Sequence, residues 1–338
     1  MEKNIGWGIM GLGRIALEFA ECLKLVEGTR LAAAGSRTLD KAEEFVKTYG
    51  GKPYGSYEEM VEDPDVDIVY IATPHPMHEE NVLLAVNAGK AVLCEKPFAV
   101  TYESAQRMIE AAKKKNVFIM EGLWARFFPI WQKTFEIIDS GAIGDIRVIE
   151  SAMSWGTTQV VPERRLFNPD LAGGALLDAG AYTFSAAFSL MKGKLPVEIK
   201  SISQLCETGV DAEVAILFRY EKPDAMALLR CGLHSTGNDT RIMGSNGTLV
   251  IERHRNPSRL IHNHRIRGPN SPRHYETIEL PFDSFGFQYE IEAVNECLRQ
   301  GKKECKTAPW QETLDIARIS EDIRHEAGVW YPFEKKPN

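Results

Sequence analysis

A short apolar strand near the start of the chain runs directly into two glycines and a small residue at fixed spacing. Residues 5–10 are followed by the pattern Gly11-x-Gly13-x-x-Ala16, and apolar residues then recur with helical periodicity to about Leu25. Gly11 permits the tight turn, Gly13 lets the backbone approach a pyrophosphate, and Ala16 lets the helix pack closely on the strand. This strand, turn and helix predict a dinucleotide site with the helix N-terminus facing the phosphates.

The end of the second predicted strand indicates which dinucleotide binds. An NAD site normally carries an acidic residue about 20 positions after the glycines, to accept from the ribose 2′-hydroxyl. Here residues 31–35 run instead into Ser36, Arg37 and Thr38, with Lys41 one turn into the next helix. Hydroxyl groups and cations suit a 2′-phosphate, so NADP(H) is favoured and NAD(H) remains the alternative. A helix cap followed by solvated surface charge is the structural reading of the same residues.

Length and composition predict a two-domain protein without a nucleic-acid or membrane partner. The chain has 338 residues, of which 44% are hydrophobic and 26% charged, and its net charge is −7. No charged-then-apolar leader precedes the first strand and no apolar run approaches a membrane span, so we expect a cytoplasmic protein. Six cysteines lack C-x-x-C pairs, which predicts neither a metal site nor a disulfide framework.

The order of predicted elements gives an α/β fold class with two domains. Strands and helices alternate up to residue 121, as a parallel sheet requires, so residues 1–121 form a Rossmann dinucleotide-binding domain. Residues 122–338 form a C-terminal α+β domain with an open, mostly antiparallel sheet. Its final helices pack either within this domain or back on the first domain. The strand-like runs of this second domain are 146–155, 197–206, 212–220, 225–235, 247–252 and 275–280, and its helices are 175–192, 287–300 and 310–327.

Three loops at the carboxyl ends of the first domain's strands carry residues suited to a ligand, because that edge is where α/β sheets bind ligands. They contain Thr73 with residues 74–78, residues 95–97 and residues 121–129. In the second domain Asp178 and Tyr182 are four residues apart on a predicted helix and hence on one face.

A lysine, a tyrosine and a carboxylate are the groups that hydride transfer at a carbinol needs, because the hydroxyl proton must move while a nicotinamide moves the hydride. Tyr182 would act as general acid in reduction and general base in oxidation. The ammonium of Lys96 would favour the phenolate form, and Asp178 would orient the pair while balancing the charge. Taken alone, Tyr182 is equally well explained as a core tyrosine on an apolar helix.

With these motifs the chain resembles the Gfo/Idh/MocA family (glucose-fructose oxidoreductase, inositol dehydrogenase and rhizopine catabolism) over essentially its whole length. The resemblance is carried by the N-terminal glycine motif, by Glu-Lys-Pro at 95–97 and by Asp-x-x-x-Tyr at 178–182. Further motifs are similar to the dimeric dihydrodiol dehydrogenase branch: His-Pro-x-His at 75–78, Trp-x-Arg-Phe-Phe-Pro at 124–129, Gly-Gly-Ala-Leu-Leu-Asp-x-Gly-x-Tyr at 173–182 and Glu-Thr-Gly-Val-Asp at 207–211.

The resemblance implies a set of site residues. Lys96 and Tyr182 are expected beside the reacting carbon. The expected cofactor-binding residues are Gly11, Leu12, Gly13, Arg14, Ile15, Ser36, Arg37, Lys41, Thr73, Pro74, His75, His78, Glu95 and Lys96. The expected substrate residues are Trp124, Arg126, Phe127 and Arg165. The structural reading makes the histidines solvated helix caps, the aromatics core residues and the arginines ordinary ion-pair partners.

One basic segment, residues 253–273, is not accounted for by these motifs. It contains six arginines and three histidines, and we interpret it as an insertion that interrupts the second sheet. A solvated interface loop is the favoured explanation, and binding of an anion or a phosphorylated substrate is the alternative. His262-x-His264 is too sparse for a metal site. The members of the segment are Arg253, His254, Arg255, Arg259, His262, His264, Arg265, Arg267 and Arg273.

The sequence therefore predicts an NADP-dependent oxidoreductase that transfers hydride between nicotinamide and a carbinol or carbonyl carbon of a small diol, sugar or dicarbonyl. The alternatives are a sugar or cyclitol dehydrogenase and a non-enzymatic NADP(H)-binding sensor. Strands 212–220 and 225–235 alternate apolar residues on both faces, with Val214, Ile216 and Phe218 against Ala215, Leu217 and Arg219, and Leu228 against Leu229. A partner must cover such a face, so we expect a homodimer or a dimer of dimers joined through this sheet.

Overall fold

The computed structural model describes residues 4–265 and 273–336. These residues divide into two compact units. The first runs to Trp124 and includes Asp283–Arg318, and the second consists of Ala125–Phe282 and the segment from Ile319 on. The predicted boundary at residue 121 lies close to the first crossing between the units at Trp124. Residues 283–318 group with the first unit, which is the option that the sequence left open for the final helices.

The first unit is built on a six-stranded parallel sheet in the order β3-β2-β1-β4-β5-β6. Strands β4 and β5 are buried throughout, as strands covered by helices on both faces must be. The strand order reverses between β2 and β4 around β1, so the carboxyl end of β1 lies at the switch point where such sheets bind ligands. The strands are β1 Ile5–Met10, β2 Thr29–Gly35, β3 Lys52–Tyr54, β4 Ile68–Ile71, β5 Ala91–Glu95 and β6 Ile119–Gly122.

The helices of this unit follow the predicted pattern closely. Helix α1 ends at Leu23 rather than near Leu25, because the chain tightens there into turns closed by Leu25 and Val26. The others are α2 Leu39–Tyr49, α3 Tyr57–Val61, α4 His78–Asn87, α5 Tyr102–Lys115 and α8 Gln288–Arg299, with α1 at Arg14–Leu23 and α9 spanning Trp310–Glu326 across the unit boundary.

The second unit contains an eight-stranded sheet in the order β14-β13-β12-β11-β7-β10-β9-β8. Strands β7 and β10 pair in parallel and the other neighbours are antiparallel, so the predicted open, mostly antiparallel sheet is confirmed. Its strands are β7 Ile146–Trp155, β8 Glu198–Leu205, β9 Asp211–Tyr220, β10 Ala225–Gly232, β11 Thr236–Gly244, β12 Gly247–Glu252, β13 Arg259–Arg265 and β14 Arg273–Glu279, and its helices include α6 Pro129–Asp139 and α7 Ala181–Leu190.

The interpretation of residues 253–273 as an insertion that interrupts this sheet is wrong. Residues 259–265 form strand β13 within the sheet, paired on one side with β12 and on the other with β14. Leu260 and His262 are buried, but the polar residues His262, Asn263 and His264 conceal the apolar alternation that usually marks a strand. Arg267 lies outside the described residues.

Strand β9 of the second sheet buries one face and exposes the other. On β9, Val214, Ile216 and Phe218 are buried, whereas Leu217 is 44% exposed. Helix α7 packs beside β7 and β10.

No helix among the described residues is both long enough and apolar enough to cross a membrane.

Candidate functional site

The glycine turn after β1 is shaped differently at its two glycines. Gly11 has φ +90°, and a Cβ there would lie 2.8 Å from Thr73 Cγ2 and 3.0 Å from the carbonyl of Ala72. Gly13 has an extended backbone, and a Cβ placed on it would meet no atom within 4 Å. Gly11 thus permits close packing of two loops, while Gly13 borders open space in front of helix α1.

Helix α1 begins at Arg14 with no side-chain cap on its first amides and no acidic residue in its first turn. Uncapped amides at a helix N-terminus favour an anion. Together with the open space at Gly13, this arrangement fits the pyrophosphate of a dinucleotide. Leu12 is buried, Ile15 is half-buried and Ala16 is fully buried against the sheet.

The end of β2 carries the residues predicted to hold a 2′-phosphate. Ser36 is buried and its backbone amide donates to Tyr54 O at 3.1 Å. Arg37 and Lys41 are exposed, and for the described residues no ion pair or hydrogen bond of either side chain is found. No acidic residue lies between Gly35 and Leu39. The strand end therefore offers cations, as a 2′-phosphate requires.

His78, at the first position of α4, joins two of the predicted loops. Its Nε2 lies 2.9 Å from Thr73 O and its Nδ1 lies 2.9 Å from Pro97 O. The ring is fully buried, and Asn81 Nδ2 donates to Thr73 Oγ1 at 2.9 Å. These contacts brace the Thr73 loop against the Glu-Lys-Pro loop. The predicted cofactor contacts of His78, of the neighbouring Pro74 and of His75, whose ring centre lies 5.9 Å from that of His78, stay predictions.

The Glu-Lys-Pro loop is held by a buried carboxylate. Glu95 Oε1 accepts from Tyr70 Oη at 2.6 Å, and Glu95 Oε2 accepts from the backbone amide of Lys96 at 3.1 Å. Lys96 is half-buried at the carboxyl end of β5. Glu95 in this structure therefore fixes the backbone that carries Lys96.

A second carboxylate, Glu121, supports the same loop from β6. It accepts from Phe98 N at 3.1 Å and from Thr313 Oγ1 at 2.9 Å. Burial raises the pKa of the nearby Glu290 well above its usual range, and the carboxylates of Glu95 and Glu121 raise it further. This shift favours the protonated form of Glu290, which reduces the repulsion among the three buried acids.

In the second unit, Asp178 and Tyr182 lie on a helix whose first turn is unusual. Residues Leu176–Gly180 form a π-helical turn, and α7 continues from Ala181. The helical spacing used to place Asp178 and Tyr182 on one face therefore does not apply at Asp178. Asp178 is 2% and Tyr182 7% exposed, so both polar side chains are buried. Single π turns inside helices occur frequently at functional sites.

Two of the four predicted substrate residues contact this helix. Arg165 Nη1 donates to Asp178 Oδ1 at 2.9 Å, which balances the charge of the buried carboxylate. Arg126 is 2% exposed, and its guanidinium donates to the hydroxyl and carbonyl oxygens of Ser185, one turn after Tyr182. These contacts hold the helix in place, and a substrate contact of either arginine stays a prediction.

The other two predicted substrate residues are buried aromatics. Trp124 belongs to the first unit and stacks on Phe287 with ring centres 4.5 Å apart. Phe127 is 8% exposed in the second unit. A substrate contact of either ring stays a prediction.

The N-terminus of the helix is capped by a residue from a strand. Asp211, the first residue of β9, is 1% exposed, and its Oδ2 accepts from Leu176 N at 2.6 Å. A Cβ on Gly174, which has φ +124°, would lie 2.3 Å from Asp211 Oδ1, so only glycine lets the carboxylate reach this position. Burial raises the pKa of Asp211 to about 6.

The C-terminal segment supports the same turn. Tyr331 Oη donates to Gly173 O at 2.6 Å. Arg324, which is fully buried, pairs with both carboxylate oxygens of Glu334 and lies close enough to Asp211 to oppose the rise in its pKa. Asp211 is the last residue of the motif at 207–211, but the sequence alone predicted no role for it. Arg324, Tyr331 and Glu334 carry no local pattern that marks them.

Of the described residues, Glu321, His325 and Glu334 form one group whose ligand atoms lie within 4.8 Å of one another. Both oxygens of Glu334 accept from Arg324. A guanidinium in that position already supplies the positive charge, so we interpret the group as an ion-pair network.

The two glycines of the turn allow a matched test of the dinucleotide site. We expect Gly13→Ala to change the free energy of unfolding by no more than about 1 kcal/mol, because its Cβ meets open space. It should weaken NADPH binding at least about tenfold, because the methyl group occupies the space of the pyrophosphate. Gly11→Ala should instead cost about 1 to 3 kcal/mol of stability, because of its φ and its contacts. Urea denaturation and fluorescence titration with NADPH measure both. Wild-type NADPH affinity in Gly13→Ala would contradict the site.

Comparison with known proteins finds relatives along almost the whole chain. Trans-1,2-dihydrobenzene-1,2-diol dehydrogenase of Mus musculus is 34% identical over 338 residues, which cover 98% of this chain and 99% of the relative. D-xylose 1-dehydrogenase (NADP(+)) of Hypocrea jecorina is 33% identical over 368 residues, which cover 97% of this chain and 93% of the relative.

Solved structures show the same fold. Aldose-aldose oxidoreductase of Caulobacter crescentus, complexed with glycerol, has a TM-score of 0.85 and 25% identity, and covers 96% of this chain and 98% of its own. A 3-ketoreductase of Actinomadura kijaniata, in complex with TDP-benzene and NADP, has a TM-score of 0.80 and 25% identity, and covers 95% of this chain and 97% of its own.

The two parts of the chain also match family models. Residues 5–123 match the oxidoreductase family with an NAD-binding Rossmann fold, and residues 131–250 match the GFO/IDH/MocA C-terminal domain. The resemblance seen in the sequence motifs is thereby confirmed. The chain belongs to the GFO/IDH/MocA family of oxidoreductases.

Proposed function

We propose that this chain is an NADP(H)-dependent oxidoreductase that interconverts a carbinol and a carbonyl carbon of a small diol, sugar or dicarbonyl. The observation that carries the proposal is the buried pair of Asp178 and Tyr182 on one helix, with Arg165 on the carboxylate. The relatives named as diol and xylose dehydrogenases support the substrate class.

The choice of NADP(H) is supported by the end of β2. Arg37 and Lys41 are exposed cations beside the buried Ser36, and the acidic residue of an NAD site is missing. The relative from Hypocrea jecorina is named as NADP(+)-dependent, and the ketoreductase structure holds NADP. Gly13 and the amides that begin α1 would hold the pyrophosphate.

The mechanism assigns one proton carrier. A bound nicotinamide would supply or accept the hydride at the reacting carbon. Tyr182 would give its hydroxyl proton to the developing alkoxide in reduction and, as the phenolate, would take the carbinol proton in oxidation. The positive charge of Arg165 balances the negative charge of Asp178. Tyr182 is 7% exposed, which limits the access of water to its hydroxyl group. The resemblance assigns Lys96 to the same step, and it remains part of the proposal.

Tyr182→Phe keeps the ring and removes only the proton carrier. We expect NADPH affinity to be retained and turnover to fall by about 10² to 10⁴. Tyr220→Phe is the matched control, because Tyr220 is also a buried tyrosine of the second unit, and its hydroxyl has no hydrogen-bond partner in the described part of the chain. Steady-state kinetics on a panel of diols, sugars and dicarbonyls measure both variants. Near-normal turnover of Tyr182→Phe would assign the proton transfer to another group.

The proposed assembly is a homodimer, or a tetramer built from such dimers, joined through the second sheet. On the face of β8, β9 and β10 that carries Leu217, four apolar side chains are strongly exposed: Ile202 at 78%, Leu217 at 44%, Met226 at 43% and Leu228 at 39%. Leu217 and Leu228 are direct cross-strand partners, so the apolar surface is continuous. A second copy of the same face would remove it from water.

A charge on this face tests the assembly. We expect the wild type to be a dimer or tetramer at micromolar concentration and Leu217→Glu to shift it to monomer, because two buried carboxylates would face each other. Leu25→Glu, at a comparably exposed leucine of the first unit, is the control and should leave the assembly unchanged. Light scattering after size exclusion gives the masses. A monomeric wild type, or a dimeric Leu217→Glu, would contradict the proposal.

A cytoplasmic location is also part of the proposal. All six cysteines are free thiols, and Cys22, Cys94, Cys231, Cys297 and Cys305 are buried. A chain rich in unpaired thiols suits a reducing compartment.

A further inference from the structure

We infer that Arg255 and Trp155 form a subsite beside Tyr182 that binds a carboxylate or phosphate group of the substrate. The inference rests on the proposed function, because it assigns a substrate class to the same site. It also gives a specific role to the basic segment at 253–273, for which anion binding was the alternative reading of the sequence.

The backbone that carries Arg255 is held by hydrogen bonds to Asn238 in β11. Asn238 Oδ1 accepts from Arg255 N and Asn238 O accepts from His254 N, both at 3.2 Å. The His254 ring is 2% exposed, and its Nδ1 lies 2.6 Å from Thr240 Oγ1. Trp131 Nε1 donates to His254 O at 3.1 Å. A turn held in this way presents its side chain in one place, as recognition requires.

The Arg255 side chain lies against two aromatic rings. Its guanidinium carbon is 5.4 Å from the centre of the Trp155 ring and 5.9 Å from the centre of the Tyr182 ring. Arginine can contact aromatic faces in this way and still offer its N–H groups in the guanidinium plane. Those groups match the two oxygens of a carboxylate or phosphate.

Trp155 supplies a second donor at the same place. Its indole Nε1 is buried, and no acceptor for it is found among the residues that the structure describes. A buried donor without a partner is costly, and native proteins rarely leave one. An acceptor that arrives with the substrate would satisfy it. A guanidinium and an orphaned indole N–H within one cluster together favour an oxygen-rich anionic group.

The other charged groups near Tyr182 do not offer the same site. Arg165 is balanced by Asp178, with Nη1 and Oδ1 2.9 Å apart. Arg126 is buried and donates to Ser185. Burial lowers the pKa of His254 to about 3, so it is neutral at physiological pH. Arg255 differs from these groups in its position, because its guanidinium lies over both the Trp155 and the Tyr182 ring.

Three sugars that share the same reacting carbon test the subsite: D-glucose, D-glucuronate and D-glucose 6-phosphate, each with NADP⁺. We expect kcat/KM for at least one anionic sugar to exceed that for glucose about tenfold or more. Arg255→Gln should lower that value about 10- to 100-fold, as loss of a charged hydrogen bond does, and leave glucose within about threefold. Glucuronate against glucose 6-phosphate decides between a carboxylate and a phosphate.

Two further variants give the controls. Arg253→Gln removes an exposed cation of the same turn and should leave all three sugars unchanged. Trp155→Phe keeps a ring and removes the indole N–H, so it should weaken the anionic sugar about 3- to 30-fold. Equal losses for neutral and anionic sugars in Arg255→Gln, or a wild type that prefers glucose, would overturn the subsite.

A binding measurement separates failure of the subsite from failure of the proposed function. Calorimetric titration of the NADP⁺-saturated protein with glucuronate and glucose 6-phosphate needs no turnover. Binding that depends on Arg255, without turnover of any sugar, diol or dicarbonyl, would support the subsite and overturn the oxidoreductase proposal. Absence of binding by both anions would overturn the subsite, whatever the activity toward neutral substrates.

Discussion

The buried carboxylate of Asp211 at the N-terminus of a helix is the interaction on which the second unit depends. Asp211 Oδ2 accepts from Leu176 N at 2.6 Å, and the chain reaches this geometry because Gly174 leaves room for the carboxylate. The helix that follows carries Asp178 and Tyr182. Because the cap comes from a strand, the direction of the helix is fixed relative to the sheet, and the proposed proton carrier Tyr182 is held with it.

The first unit uses comparable buried polar contacts to hold its loops. His78 lies between the carbonyl oxygens of Thr73 and Pro97, and Glu95 and Glu121 accept from backbone amides of the Glu-Lys-Pro segment. A buried polar group that lacks a partner destabilises the fold, whereas a fully hydrogen-bonded network makes the surrounding loops rigid. These contacts position the loops, and the cofactor contacts expected of His78 and Glu95 stay predictions. Gly13 borders open space, and Arg37 and Lys41 after β2 are exposed.

Local patterns allowed most of the fold to be predicted from the sequence. The glycine turn, buried strands and amphipathic helices of the first unit follow from short-range periodicity and turn chemistry. Strands β11 and β13 were missed, because polar residues and glycines conceal an alternation that only the neighbouring strands make visible. Asp211, Arg324 and Tyr331 act across long sequence separations. Arg255 belonged to a recognised basic segment, but its place beside Tyr182 depends on tertiary structure.

Hydride transfer is what distinguishes an oxidoreductase from a protein that only binds a nucleotide. The most direct measurement incubates the protein with NADPH deuterated at nicotinamide C4 and a panel of sugars, ketones and dicarbonyls, and follows the label by mass spectrometry. We expect deuterium on the new carbinol carbon of at least one product. NADPH that binds tightly while no product acquires deuterium across the panel would contradict it and favour a nucleotide sensor.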